Sequence, residues 1–253
     1  IYPQVKQQLL DAGLLDFYEK RYHKMAHRRL SLSFNGIKFD DSKRKAVGQN
    51  LQRQVIKYHC KLMRITGENL NVKSAKQMKK LLYETMKWPV QKTRQGKVTT
   101  GEDALLALAA SHPSETFDCI LKVRHYRTRY SNYVKVKVDS DGRIRSSFGF
   151  AETGRFTSSK CAFGTGYNLQ NWPRDMRVML CADTPDDVFV EMDFKQAESM
   201  AVAFKSRDVD LIQGYLDGID MHKRTATHLF EKDMDDIIYG ERYTGKRVNH
   251  AAN

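Results

Sequence analysis

The chain has 253 residues, and its 43 Lys and Arg against 30 Asp and Glu leave a formal net charge of +13. That length allows one or two domains with cores of their own, and the basic excess favours a polyanionic partner, nucleic acid first. No run approaches the roughly 18 apolar residues of a spanning helix, and no secretory signal opens the chain, so membrane attachment is disfavoured, and reduced thiols in a cytoplasmic setting are the default. Cys60, Cys119, Cys161 and Cys181 lie far apart without CxxC spacing, which suggests neither a zinc site nor a disulfide framework. The chain opens on Ile1 rather than Met and is expected to be a piece of a longer protein.

The first 140 or so residues read as mostly helical. Ile1 to about Arg29 is polar and basic with apolar residues at helical spacing. Leu30 to Phe39 is strand-like, with a turn signal at Asn35 and Gly36, and a basic helix is expected from Asp41 to Met63. Ser74 and Gln77 make a capping box for a helix through Leu81 and Leu82 that Trp88 and Pro89 stop. Thr99 and Glu102 make a second box before ALLALAA. From Phe117 to Val136 a long helix carries Lys122, Arg124, Arg127 and Arg129 among Ile120, Val123, Tyr126, Tyr130 and Tyr133. Such a run suits a solvated face or contact with a phosphate backbone. Asp139 to Gly142 is a turn, and RIRSSFGF alternates like a strand. The second half therefore reads as a sheet with helices joined to a helical first half.

Val188 to Ser206 carries the sharpest local signal. Val188, Val190 and Met192 share one face by a strand's period, which predicts a buried strand with Asp193 at its end. From Ala197 the period changes, and Ala197, Met200, Ala201 and Phe204 make the apolar face of a short helix. A carboxylate at such a junction suits a metal ligand, and it equally suits a helix cap.

Two further constellations flank it. Thr153 to Ser159 (TGRFTSS) and Asn168 to Pro173 (NLQNWP) form one polar cluster, too poor in apolar side chains for a core element. It suits hydrogen bonding to sugars, phosphates and minor-groove acceptors, or it is an ordinary polar loop. Near the end of the chain, Arg242, Lys246 and His250 follow one face of a helix at i, i+4 and i+8. Asp220 is placed to cap a helix whose second residue is His222, where backbone N–H groups favour phosphate. Two cationic elements facing one anion would suit a triphosphate.

Taken together, these segments resemble the family A DNA polymerases. DFKQAESMAV is similar to that family's first carboxylate motif, and TGRFTSS with NLQNWPR to its primer-contacting motif. DMHKRTATHLF resembles the segment that begins its fingers, and ERYTGKRVNHAAN the start of its fingers helix. LNVKSAKQMKKLLYE with TTGEDALLALA resembles its thumb. The resemblance covers most of the chain, least over the first 30 residues. It implies an α+β right-hand polymerase segment: a helical thumb and palm base over 1–140, an antiparallel palm segment over 141–205, and the start of helical fingers over 206–253.

The roles that the resemblance implies are these. Asp193 and the Phe194 carbonyl would bind two catalytic Mg²⁺ ions. Phe194, Gln196, Glu198, His222, Arg242, Lys246 and His250 would contact the incoming dNTP, with Lys246 also neutralising or protonating the pyrophosphate. Arg155, Asn168, Gln170 and Asn171 would contact primer-template DNA; Lys122 and Arg129 are further candidates for its phosphates on the strength of the basic helix run alone. Glu198 would be a steric gate against a ribose 2′-hydroxyl, which disfavours a single-subunit RNA polymerase. An accessory nucleic-acid-binding protein without chemistry is the other alternative, and the presence of Asp193, Glu198 and Lys246 argues against it. A processivity factor, helicase or primase is a possible replisome partner.

The chain also departs from the family pattern. His250 stands where an aromatic residue is usual, and Lys195 where a small polar one is common. The loop from Cys161 to Tyr167 is longer than in the bacterial enzymes and points to a bacteriophage-type member. No HDE-like tripeptide that would supply the second catalytic carboxylate occurs in the chain, so these 253 residues alone are expected to be inactive, because one carboxylate cannot assemble a two-metal site.

Overall fold

A computed structural model of the protein describes residues 2–194 and 196–252, which fall into two compact units divided between Phe189 and Val190. Lys195 lies outside the described residues.

The first unit opens with helices α1 (Tyr2–Asp11) and α2 (Leu15–Phe17), a wider-wound turn Tyr18–His23, and α3 (Lys24–Asn35). The strand expected from Leu30 is therefore helical as far as Asn35, and β1 is only Ile37–Phe39. Gly36 makes the turn from helix to strand: its φ is +59°, and a Cβ there would stand 2.7 Å from the Ile144 carbonyl oxygen. Only glycine fits both demands.

Asp40 caps α4 (Asp41–Thr66) by accepting the Lys43 N–H. That bond and a second from the Ser42 hydroxyl hold its carboxyl down at about 2. Ser74 caps α5 (Ala75–Lys79), which continues through the wider-wound Lys80–Thr85. Half of the expected capping box forms there. Ser74 Oγ accepts the Gln77 N–H at 3.3 Å, but the Gln77 side-chain oxygen takes the Asn71 N–H instead of returning to Ser74. The second box does not form, because α6 (Glu102–Ser111) starts at Gly101 and Thr99 Oγ1 accepts that glycine's own N–H. Next come α7 (Glu115–Arg129) and the wider-wound Tyr130–Val134, ending two residues before the expected Val136.

The strands β2 (Arg143–Ile144), β3 (Ser147–Phe150), β4 (Phe156–Ser159) and β5 (Leu180–Cys181) are short and antiparallel. β1 is central in one sheet, with Lys38 opposite Arg143 of β2 and Cys181 of β5. β3 and β4 pair alone as a hairpin from Ser147↔Ser159 to Phe150↔Phe156.

Two apolar clusters hold this unit. Leu62, Met78, Leu82, Leu105, Leu108, Phe117, Ile120 and Val123 close the helical one. Phe39, Leu51, Ile144, Trp172 and Met179 join α4 to the sheet. Arginines stitch the loops onto them. Arg124 donates to the carbonyls of Val72 (2.8 Å) and Thr100 (2.6 Å), and Arg44 to those of Val134 (2.6 Å) and Val136 (2.9 Å).

The second unit contains α8 (Ala197–Ser206), α9 (Val209–Leu216), α10 (Met221–Phe230) and α11 (Tyr239–Ala252). Two expectations fail near its start. The segment 188–194 is not a buried strand: no strand among the described residues pairs with it, and Val190 and Met192 are 73% and 89% exposed. Alternation marks the face that a neighbour would cover, but the ladder itself needs that neighbour's backbone. In α8 the covered face is offset from the expected one. Ala203 is buried and Ser199 and Met200 are half-buried, whereas Ala197, Ala201 and Phe204 are exposed. Among the described residues no helix is long and apolar enough to cross a membrane.

Arg124→Met keeps the aliphatic bulk but strips two carbonyls of a charged donor, so it should cost about 2–3 kcal/mol in urea unfolding. Lys122→Met, at an exposed pair with Asp118, should cost clearly less.

Candidate functional site

The second unit holds a cleft of about 530 Å³ lined by Asp193, Phe194, Gln196, Glu198, His222, Arg242 and Lys246, together with Ala197 and Ser199. Seven residues that the sequence singled out for a metal and a nucleotide thus meet in one cavity. Its acidic groups come from the segment before α8 and from that helix's first turn. Its cations come from α11, and His222 from the first turn of α10.

The packing of α10 on α11 makes this possible. Gly245 is buried in the contact: a Cβ on it would lie 2.3 Å from the His222 carbonyl oxygen and 3.0 Å from the Ala226 nitrogen. With no side chain at Gly245, the two backbones meet directly. Arg242 and Lys246 flank it, one turn and so about 6 Å apart along the axis, and are carried to the start of α10. A mid-helix glycine costs about 1 kcal/mol relative to alanine, which is the sequence signal that could have exposed this position.

Asp220 does two jobs. One oxygen caps α10 by accepting the N–H groups of His222 (3.0 Å) and Lys223 (3.1 Å); the other accepts from Arg242 Nε at 2.7 Å. Partial burial pushes its carboxyl up, but the Arg242 bond and the two backbone donors outweigh this and leave it below its ordinary value. At the start of α11, Glu241 accepts the Ile238 N–H and pairs with Lys232 at 2.6 Å, and the lysine's hydrogen bond leads in holding its carboxyl below the usual range. His222 is 5% exposed. Its Nδ1 lies 3.1 Å from Asn249 Nδ2, which also donates to the Met221 carbonyl at 3.2 Å; Thr225 Oγ1 stands 2.7 Å from Asn249 Oδ1. Neither Asn249 nor Thr225 stood out in the sequence. The side chain of His250 lies outside the described residues.

Asp193 is exposed at the mouth of this cleft and does not cap α8, whose N-cap is Gln196 in a left-handed conformation with φ +56°. An α8 cap is therefore not its role here. Among the described residues no group of three or more His, Cys, Asp or Glu could hold a metal. The cleft instead offers the Asp193 carboxylate beside a cationic, anion-accepting half. That donor set suits a small hard cation, which binds through one or two carboxylates and completes its shell with water and phosphate oxygens.

The primer-contact candidates belong to the first unit, where the two halves of the polar cluster do come together. Gln170 Nε2 donates to the Phe156 carbonyl of β4 at 2.8 Å, and Ser158 Oγ accepts the Leu169 N–H at 3.1 Å. Asn168 caps the short turn Leu169–Asn171 by accepting the Gln170 N–H. Arg155 is exposed at the end of the β3–β4 loop, and Asn171, the last residue of the turn, is exposed too. Lys122 pairs with Asp118 at 2.9 Å and sits over the Tyr58 ring, and its ammonium is shifted up by those two partners. Arg129 pairs with Asp175 at 2.6 Å. Both cations thus have local partners, as a solvated face would provide.

Residues 41–252 match the family model described as DNA polymerase family A. DNA polymerase I of Bacillus subtilis (strain 168) is 28% identical over 255 residues, covering 96% of this chain and 28% of that protein. DNA polymerase I of Geobacillus stearothermophilus is 28% identical over 231 residues, covering 87% and 26%. That of Streptococcus pneumoniae serotype 4 is 31% identical over 199 residues, covering 73% and 22%. The chain therefore spans about a quarter of the length of these curated relatives. A solved structure described as the POL domain of Pol1 from M. smegmatis in complex with DNA primer-template and dNTP shares the fold. Its TM-score is 0.80 at 24% identity, covering 98% of this chain and 44% of that one.

Two outcomes test the helix pair. Gly245→Ala should force α10 and α11 apart and lower stability by about 1–3 kcal/mol in urea unfolding, where an exposed helical glycine would gain from the same change. Because Asp220 has its carboxyl lowered in the fold, the stability it adds is complete above its ordinary value of 3.8 and is lost as the pH falls below it. Between pH 6 and pH 3 the wild type should therefore lose more stability than Asp220→Asn.

Proposed function

The chain belongs to DNA polymerase family A, and from that premise we propose that it carries the nucleotide-binding half of the active centre of a template-directed DNA polymerase. The observation that supports this most is the single cleft in which Asp193 and Glu198 meet His222, Arg242 and Lys246. The reaction would join the α-phosphate of a dNTP to a primer 3′-hydroxyl and release pyrophosphate. Arg242, held by Asp220, and Lys246 would bind the triphosphate, and His222 would add a hydrogen bond at the start of α10, where the helix N-terminus already favours phosphate. Lys246 would neutralise or protonate the departing pyrophosphate.

Family A polymerases use divalent metal ions, and we take Mg²⁺ as the ion here. Asp193 and the Phe194 carbonyl are the groups that would hold it, and the metal would supply activation of the 3′-hydroxyl and charge stabilisation at the phosphate. Phe194 and Gln196 line the nucleotide's end of the same cleft. Glu198, in the first turn of α8, would occupy the space that a ribose 2′-hydroxyl needs. His250 would stand against the incoming sugar. Arg155, Asn168, Gln170 and Asn171 would contact the primer-template, with Lys122 and Arg129 available to its phosphates. In this reading 1–140 serves as thumb and palm base, 141–205 as palm and 206–253 as the start of the fingers. A replication role in a bacteriophage, in the cytoplasm of its host, is the biological setting we favour.

In the polymerase that carries this segment, Asp193→Ala should lower primer extension by at least about 10²-fold while leaving primer-template binding nearly unchanged in a gel-shift titration. Equal loss of both would make Asp193 a structural residue. Glu198→Ala should raise incorporation of ribonucleotides relative to deoxyribonucleotides, and an unchanged ratio would remove the gate.

A further inference from the structure

The Met221 carbonyl can only accept a hydrogen bond, so the end of the Asn249 amide that faces it at 3.2 Å must be the NH₂ group. That same nitrogen lies 3.1 Å from His222 Nδ1. A donor there requires a lone pair on Nδ1. The amide's other end, Oδ1, then faces the Thr225 hydroxyl at 2.7 Å, which also lies 2.9 Å from the Met221 carbonyl; the acceptor-only carbonyl is what sets the amide orientation. We propose that Asn249 is a positioning residue that keeps His222 as the neutral ring with its proton on Nε2. Any proton on Nδ1 would meet the Asn249 NH₂ head-on, which disfavours both the other tautomer and the imidazolium.

The consequence is chemical. A histidine free to choose its tautomer offers either a donor or an acceptor to a ligand, and an acceptor repels phosphate oxygens. With Nδ1 facing a donor, the second ring nitrogen is fixed as the protonated one, the form from which a phosphate oxygen can accept. Thr225 and Met221 lie on α10 and Asn249 on α11, so the device depends on the close approach at Gly245. The inference rests on the reading of His222 as a triphosphate ligand for its use, but not for its geometry.

The two can be tested apart. Nitrogen-15 NMR of the histidine rings in the protein, with no nucleotide present, should show Nδ1 of His222 as the pyridine-like nitrogen and Nε2 as the protonated one at pH 8. Asn249→Asp replaces the donor with an acceptor and should move the proton to Nδ1. Asn249→Leu should weaken binding of dATP, measured by calorimetry, by about three- to tenfold. Thr225→Val, which keeps the Met221 carbonyl opposite the amide, should leave the proton on Nε2 and so controls for changed packing between α10 and α11. A wild-type ring protonated on Nδ1, or a ring state that neither Asn249 variant alters, overturns the proposal. If His222→Ala leaves dATP affinity unchanged while the ring behaves as described, the triphosphate reading fails and the tautomer assignment stands.

Discussion

The contact between Gly245 and the first turn of α10 is the constraint on which the cleft depends. A methyl group at that position would lie 2.3 Å from the His222 carbonyl oxygen, so the approach exists because a side chain does not. From it follow the Arg242–Asp220 bond and the Asn249–His222 bond, each of which ties a cleft residue on one helix to a group on the other. Asp220 shows the economy of this arrangement. One carboxylate ends a helix, orients a guanidinium and, by accepting from both, remains ionised at lower pH than an ordinary aspartate.

The basic excess of the chain divides by use. Arg44 and Arg124 donate to backbone carbonyls in the first unit, and Arg143 and Arg145 do so as well while pairing with Asp183 and with Asp139 and Asp141. These guanidiniums act as connectors in a unit whose strands are too short to carry its loops. Lys122 and Arg129, which the helix pattern offered for phosphate, are paired with neighbouring carboxylates. A net charge of +13 therefore points to a polyanion without saying which cations meet it, and in the second unit the geometry singles out Arg242 and Lys246.

What the sequence revealed, and what it hid, follows from the range of each signal. The cap at Asp220 and the face shared by Arg242 and Lys246 depend on residues within a turn or two, and both are present as read. The polar cluster of Thr153–Ser159 and Asn168–Asn171 was also legible, since its parts are close in the chain. Val188 to Asp193 was misread because alternation speaks of a face, whereas a strand needs a partner. Thr99 was misread as a cap because the box pattern does not say where the helix begins, and Gly101 begins it. Asn249 and Thr225 lie 24 residues apart on different helices, and their meeting is set by the packing at Gly245, which no local pattern encodes.

The most direct measurement of the cleft is to titrate the protein with dATP and Mg²⁺ and follow backbone amide shifts by NMR. The expected result is that the first and largest shifts fall on Met221 to Lys223, Arg242 and Lys246, with Asp193 and Glu198 responding only when Mg²⁺ is present. Shifts confined to the first unit, around Arg155 or the Lys122–Arg129 helix, would contradict the assignment of the triphosphate to the α10–α11 pair.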